Sequence, residues 1–400
     1  MGPRRALLVS PPHRKGTELK IVATKKVALV AALVALVITG LVLAGCGAKE
    51  PETTEATVVK IGFAAPLTGD NAVYGLSMRN AAQMAVDELN ASPEAAEANI
   101  KFELRAEDDA SDPKLAVNVA NMLVEDSAVV ALVGHFNSGC SIPASAVYND
   151  AHMAMVTVST NPTLTEQGFD VVNRITARDD SQGKEAASIV WGDGIKEVAV
   201  VDDSTAYGQG LADEFVAAYE ALGGKVVSAD KVQSKEVNFS ALVTKIKGNA
   251  PAAVYYAGAH TEGALLRKQA REAGLTVPFY GGEMLFTDEY VVLSGGADGD
   301  VCTVLGLPIE SQPGGPAFAE KFTAAFDKAP EAYDTYSYDS AMIIGKAVLS
   351  AGADRAAVAA AIRGISYSGI TGTIEFDANG DNKQQVISAY AVTGGKWAIR

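Results

Sequence analysis

EVAVVDDSTAYGQGLADEFVAAYEALGGKVVSADKV, residues 197–232, decides the fold. Its apolar opening, Glu197–Asp203, reads as a strand, Gly208–Leu222 as a helix and Lys225–Val232 as a second strand. Strands linked through a helix by short turns belong to parallel sheets covered on both faces. The alternation continues outward in both directions. Downstream come helix Phe239–Gly248, strand Ala252–Gly258, helix Thr261–Ala273 and strand Val277–Glu283. Upstream, strands Val58–Ala65, Ile100–Asp108, Ala128–Gly134 and Met153–Val158 alternate with helices Leu76–Asn90, Pro113–Glu125 and Ile142–Asp150. Pro113 and Pro143 are expected at helix starts, where a missing N–H costs nothing. Helix Ser181–Trp191 then restarts the series, with Ser181 as its N-cap. Two successive runs predict an α/β protein with two doubly wound lobes. Only 7% of residues are aromatic, which suits helix–sheet layers packed through small side chains. The remainder must rejoin one lobe or the other: helices Gly315–Ala329, Tyr336–Ala351 and Arg355–Arg363, then strands Gly372–Phe376 and Ile387–Val392.

The first 45 residues differ from the rest. Arg4, Arg5, Arg14, Lys15, Lys20, Lys25 and Lys26 face a single Glu18, and an uncharged run from Val27 to Leu43 ends at Ala44-Gly45-Cys46. A basic start, a short apolar stretch and small residues at the exit make a secretory signal. Seventeen residues are at the low limit for a spanning helix. Residues 46–57 are small and polar, a flexible tether. The whole chain carries 33 Lys+Arg and 48 Asp+Glu, and without residues 1–45 it retains 26 and 47, a formal charge of −21. That surplus disfavours nucleic acid, since there is no cationic surplus to displace counterions. Beyond Cys46 only Cys140 and Cys302 remain; they are expected in different lobes as free buried thiols, and no spacing suggests a metal.

Catalytic motifs are weak. Ser181-Gln182-Gly183-Lys184 fits S-x-x-K but has no S-D-N or K-T-G partner. His135 lies near Ser138 and Cys140 without a strand–G-x-S-x-G–helix elbow. Asp377–Asp381 begins like a calcium loop, but Asn382 and Ser388 stand where glycine and glutamate are required, so a hairpin turn is expected. No glycine-rich phosphate loop is present, and His13, His152 and His260 have no partner at ligand spacing. No cofactor is expected. The strand ends carry more chemistry. Phe136–Pro143 and Ser159-Thr160-Asn161-Pro162 are hydroxyl-bearing turns that feed helices and can cradle an anion. Glu283 closes a strand of the second run, where a carboxylate across a cleft would suit an ammonium. The plainer reading makes these hydroxyls N-caps and Glu283 a solvated charge.

The order of eight segments weighs against the plainer reading. IGFAAPLTGDNAVYG (61–75), EDDASDPKLAVNVANMLVED (107–126), VGHFNSGCSIPASAVYND (133–150) and VSTNPTLTEQGFDVVNRIT (158–176) are followed by DDSTAYGQGLADEF (202–215), VYYAGAHTEGALLRKQAREAGL (254–275), YDTYSYDSAM (333–342) and GTIEFDANGD (372–381). In this order the chain resembles the leucine/isoleucine/valine-binding proteins of bacterial ABC importers. Leu43–Cys46 likewise resembles a lipobox, which implies cleavage before Cys46, a lipid on its sulfur and durable anchoring on the outer face of the membrane.

The resemblance implies two Rossmann-like lobes joined by three crossovers, the type I periplasmic binding fold. One lobe comprises 58–177 plus 306–384, the other 178–305 plus 385–400. Ser138 and Thr160 would take a ligand carboxylate, the Ser159 backbone and Glu283 its ammonium, while Tyr74, Tyr207 and Tyr333 wall the side-chain pocket. Ala259 stands where branched-chain binders carry tyrosine, which reshapes that pocket, and Ser111 and Asn137 occupy positions where some members carry a disulfide. The implied partners are an aliphatic amino acid and permease subunits of the transporter, with the protein itself a monomer. A sensor, a binder of amides, urea or aromatic acids, and a serine hydrolase built on Ser138 are the alternatives.

Overall fold

The computed structural model describes residues 55–400; the expected signal segment, Cys46 and the tether up to residue 54 lie outside them. In chain order, β1 (Thr57–Ala65), α1 (Ala72–Asn90), α2 (Pro93–Glu97), β2 (Ile100–Asp108), α3 (Pro113–Glu125) and β3 (Val129–Gly134) come first. They are followed by α4 (Ser138–Asp150), β4 (Ala154–Thr157), α5 (Thr163–Glu166) and β5 (Val172–Arg174). The five strands pair in parallel in the order β2-β1-β3-β4-β5.

The chain then crosses to a second sheet through α6 (Asp179–Gly192), β6 (Glu197–Asp202), α7 (Ala206–Ala221), β7 (Lys225–Lys231) and α8 (Ser240–Gly248). β8 (Ala253–Ala257), α9 (His260–Glu272), β9 (Phe279–Gly281), α10 (Asp288–Leu293) and β10 (Val301–Leu305) continue it. A second crossing leads to α11 (Gly315–Phe326), α12 (Asp334–Ala351) and α13 (Arg355–Arg363). Of these, α12 packs on α1 and β3, and α13 on β3 and β4. After the small hairpin β11 (Ser366–Ser368) and β12 (Thr373–Glu375), a third crossing adds β13 (Ile387–Thr393) antiparallel to β10 and β14 (Lys396–Ile399) antiparallel to β13. The second sheet therefore runs β14-β13-β10-β9-β8-β6-β7. This is the two-lobed α/β architecture expected, with an antiparallel edge on an otherwise parallel sheet. Among the described residues, no helix is long and apolar enough to cross a membrane.

Local chemistry explains the element starts. Pro113 opens α3 behind Asp112, whose carboxylate accepts the Lys114 and Leu115 N–H groups. Thr205 caps α7 through the Gly208 N–H. Each such cap contributes about 1 kcal/mol. Two expected starts are corrected. α4 begins at Ser138 and Pro143 lies inside it, because Cys140 and Ser141 close the first turn on the Asn137 carbonyl without any apolar stripe to signal it. α6 begins at Asp179 behind an extended Arg178, so Ser181 is not its N-cap; Asp179 and Asp180 instead meet the positive end of the helix dipole. Cys140 and Cys302 are both free and buried.

Candidate functional site

In each sheet the strand order reverses beside one strand, β1 between β2 and β3 and β6 between β7 and β8. The helices leaving such a reversal run to opposite faces and open a crevice at the strands' carboxyl ends. The two crevices meet in one cavity of about 500 Å3, which includes Ser138, Ser159 and Thr160 on one wall and Tyr207, Ala259 and Glu283 on the other. Asn137 and Tyr333 also line it. Tyr74 does not: it is fully buried, stacked on Phe136 at 5.4 Å, and donates its hydroxyl to the Met284 carbonyl at 3.1 Å. Phe136 takes the place on the wall because it leaves β3 directly at the crevice, and Tyr74 supports it from behind.

The first wall is a set of neutral donors. Ser138 is the first residue of α4, where backbone N–H groups have no intrahelical acceptor. Its Oγ accepts the Asn161 N–H at 3.3 Å, which leaves the hydroxyl proton to donate. Thr160 is 2% exposed beside it. Ser159 turns its side chain away, donating to the Phe136 carbonyl at 2.9 Å and pairing with the Ser141 hydroxyl at 2.6 Å. The Ser159 carbonyl accepts from Arg174 Nη1 at 2.6 Å, so one of its lone pairs is already engaged.

Arg174 fixes this turn. Fully buried, it also donates to the Asn161 carbonyl at 3.0 Å, to Thr165 Oγ1 at 2.9 Å and to Asp381 at 2.8 Å. Asp381 in turn accepts from Arg178 at 2.9 Å. The residues 377–381 do form a turn, closed by antiparallel pairing of Phe376 with Asn382. Asp381 ends that turn as the counter-ion of two arginines.

The opposite wall is anionic. Glu283 is 3% exposed and accepts from Gln182 Nε2 at 2.7 Å, the Tyr207 hydroxyl at 2.8 Å and the Tyr333 hydroxyl at 3.2 Å. All three donors are neutral. Burial raises the Glu283 pKa, and these hydrogen bonds offset the rise only in part. Asp179, fully buried, is also raised, first by burial and then by the charge of Glu283. Two buried carboxyl groups thus stand close together here, and the hydrogen-bond donors on Glu283 are all neutral.

Several contributors escaped the sequence reading. Gln182 and Asn161 are held at the site by contacts distant in sequence, Asn161 Nδ2 reaching the Ala206 carbonyl at 2.7 Å. Asp203 accepts the Ala259 N–H at 2.9 Å and the Thr205 N–H at 3.0 Å, tying the second crevice together. Its position just past a strand end was the one available signal. His135 is spoken for at both ring nitrogens, Nδ1 with Asp109 at 2.7 Å and Nε2 with the Tyr148 hydroxyl at 2.9 Å. It lies buried beneath the cradle, braced by these two contacts. Among the described residues no group of His, Cys, Asp and Glu forms a metal site.

Known proteins resemble this chain in sequence and in fold. The sequence model of the family described as periplasmic binding protein matches residues 58–396. An amino acid binding protein of Pseudomonas aeruginosa is 39% identical over 344 residues, covering 84% of this chain and 89% of its own. The solved structure of a leucine binding protein, LivK, from Thermotoga maritima has a TM-score of 0.79 at 28% identity, covering 86% of this chain and 97% of its own. The branched-chain amino acid transporter substrate binding protein LivJ from Streptococcus pneumoniae, in complex with isoleucine, has a TM-score of 0.77 at 27% identity, covering 86% and 99%.

Proposed function

The chain belongs to the periplasmic binding protein family, and from that premise we propose that it is the solute-binding subunit of an ABC importer, taking an aliphatic α-amino acid between its lobes. One observation carries the reading: a single cavity has neutral donors around Ser138 and Thr160 on one side and Glu283, met only by neutral donors, on the other. A zwitterion fits both poles, its carboxylate on the hydroxyls and helix N–H groups, its ammonium against Glu283. The names of the similar proteins, leucine binding and isoleucine-bound, support an aliphatic side chain. Binding without chemical conversion is in keeping with these relatives.

The lobes in this proposal are 58–177 with 306–384 and 178–305 with 385–400. Packing of α12 and α13 on the first sheet and pairing of β13 with β10 support that division. Cys46 would carry the lipid that holds a monomer on the outer membrane face, within reach of the permease; the sequence Leu43–Cys46 supports this. Loss of membrane attachment in Cys46→Ala tests it.

A thermal-shift screen of amino acids tests the main reading. A ligand that binds only the folded form stabilises by about 2.7 kcal/mol at a hundred times its Kd. Leucine, isoleucine or valine should raise Tm by several degrees, and a screen in which no α-amino acid does so refutes the assignment.

A further inference from the structure

An aliphatic amino acid held at Ser138 and Glu283 leaves part of the cavity unused. The nine non-hydrogen atoms of leucine need at most ~30 Å3 each by comparison with water, so of about 500 Å3 on the order of 200 Å3 remains. That space lies toward Asn71, Ser111, Ser234, Ala259 and Glu262, which line the same cavity. Ala259 keeps it open. Its N–H is fixed on Asp203 at 2.9 Å and its carbonyl accepts from the Tyr256 hydroxyl at 3.1 Å, so the backbone cannot shift inward to fill the gap.

The walls there are polar and lean negative. Asn71 Nδ2 donates to Ser111 Oγ at 3.1 Å. Glu262, 4% exposed, accepts the Lys235 N–H through one oxygen at 2.6 Å. Burial pushes its carboxyl upward, and the charges of Asp203 and of Asp70, the residue before Asn71, act in the same direction. Glu262 and Asn71 line the same cavity from opposite sides of the proposed cleft. No lysine, arginine or histidine is among the residues lining the cavity. An apolar ligand tip would strip water from this carboxylate and give nothing back, whereas an N–H group would replace the lost hydrogen bond.

We propose that this part of the cavity is a subsite for an N–H-bearing group at the end of an α-amino acid side chain, amide or ammonium, with Glu262 as its acceptor. The proposal rests on the α-amino acid reading above and extends its ligand class beyond purely aliphatic side chains. Calorimetric titration with leucine, glutamine, lysine and homoleucine, the apolar isostere of glutamine, tests it. Wild-type protein should bind glutamine or lysine at least tenfold more tightly than homoleucine. Lysine ahead of glutamine assigns the ammonium, and the reverse assigns the amide. In Glu262→Leu the preference over homoleucine should fall to within threefold of unity. Glu262→Gln, which keeps an acceptor for the Lys235 N–H, should cost lysine more than glutamine. Should Glu262→Leu fail to fold, the wild-type ratio and Glu262→Gln decide alone. Leucine binding accompanied by equal affinities for glutamine, lysine and homoleucine overturns the subsite while leaving the α-amino acid reading intact. Absence of binding by all four overturns both.

Discussion

Replacing Glu283 by Gln is expected to weaken ligand binding and to stabilise the empty protein. Both effects come from one carboxylate, 3% exposed and hydrogen-bonded by Gln182, Tyr207 and Tyr333, none of them charged. With a ligand ammonium in place the pair is buried and close, and loss of one partner at such a site costs about 2–5 kcal/mol. Each ~1.4 kcal/mol is tenfold in Kd, so leucine affinity should fall between roughly 30-fold and a few thousand-fold. Without ligand the same charge is a liability. Burial raises its pKa above the ordinary glutamate value, so its favourable contribution is present at low pH and lost as pH rises through the folded value. Glu283→Gln abolishes that loss: the amide oxygen keeps the Gln182 and Tyr207 donors, which share one carboxylate oxygen, and the Tyr333 hydroxyl on the other oxygen turns to accept where it had donated. Replacing a buried uncompensated ion in this way stabilises by about 1–2 kcal/mol, more at pH 8 than at pH 4. Titration calorimetry with leucine and scanning calorimetry of the empty protein measure the two effects separately. An affinity within threefold of wild type refutes the ion pair, and a lower empty-state Tm at pH 8 refutes the electrostatic penalty.

Binding of leucine should weaken as pH falls through the raised pKa of Glu283, because the carboxylate must be ionised to meet an ammonium. Titrations in buffers of different ionisation enthalpy should show proton release that is absent in Glu283→Gln. Asp334, buried beneath the site with Ser77 Oγ at 2.5 Å, is pushed by burial from 3.8 up to about 7. Its stabilising contribution is complete below pH 3.8 and lost as pH rises to about 7, on the order of 4 kcal/mol at ~1.4 kcal/mol per unit; Asp334→Asn should flatten the fall in Tm between pH 5 and pH 8. Asp381→Ala leaves Arg174 fully buried without its counter-ion and should lower stability in urea by about 3–5 kcal/mol. It should also weaken leucine binding, as the hold of Arg174 on the Ser159 and Asn161 carbonyls loosens.

The strands most legible in the sequence were those buried on both faces. Val129–Gly134 and Ala253–Ala257 are buried throughout, and an unbroken apolar run announces such a strand. β5 was missed because its three residues, Val172-Asn173-Arg174, bury two polar side chains, which no hydrophobic pattern can signal. β10 was missed as a lone five-residue run with no helix close behind it to mark an α/β repeat. That Ser138, Thr160 and Glu283 meet in one cavity was legible because strand ends fix where such residues lie, whereas the roles expected of them came from the resemblance. Their supports were not. Arg174 finds Asp381 across 207 residues, and nothing local to either residue requires the other. The order of Tyr74 and Phe136 on the wall was hidden for the same reason: which ring faces the cavity is set by how the first turn of α1, which carries Tyr74, packs against the β3 exit, which carries Phe136.

Closure of the lobes and the anionic pole are linked. Tyr333 to Glu283, Tyr74 to the Met284 carbonyl and Asn161 to the Ala206 carbonyl are hydrogen bonds that cross the cleft. Each contributes a net of about 1 kcal/mol. With the lobes in contact, Glu283 and Asp179 are buried, and their pKa values are raised by desolvation and, for Asp179, also by the neighbouring charge. The two effects oppose one another, so a ligand that relieves the cost of that burial shifts the population toward the closed form. An ammonium relieves it, whereas a carboxylate on Ser138 and Thr160 meets donors that carried little penalty beforehand. Leucine stripped of its amine, 4-methylpentanoate, should therefore bind far more weakly than one lost hydrogen bond accounts for, and small-angle scattering should show that it leaves the protein open. Equal compaction by leucine and by 4-methylpentanoate at saturation would show that relief at Glu283 does not drive closure.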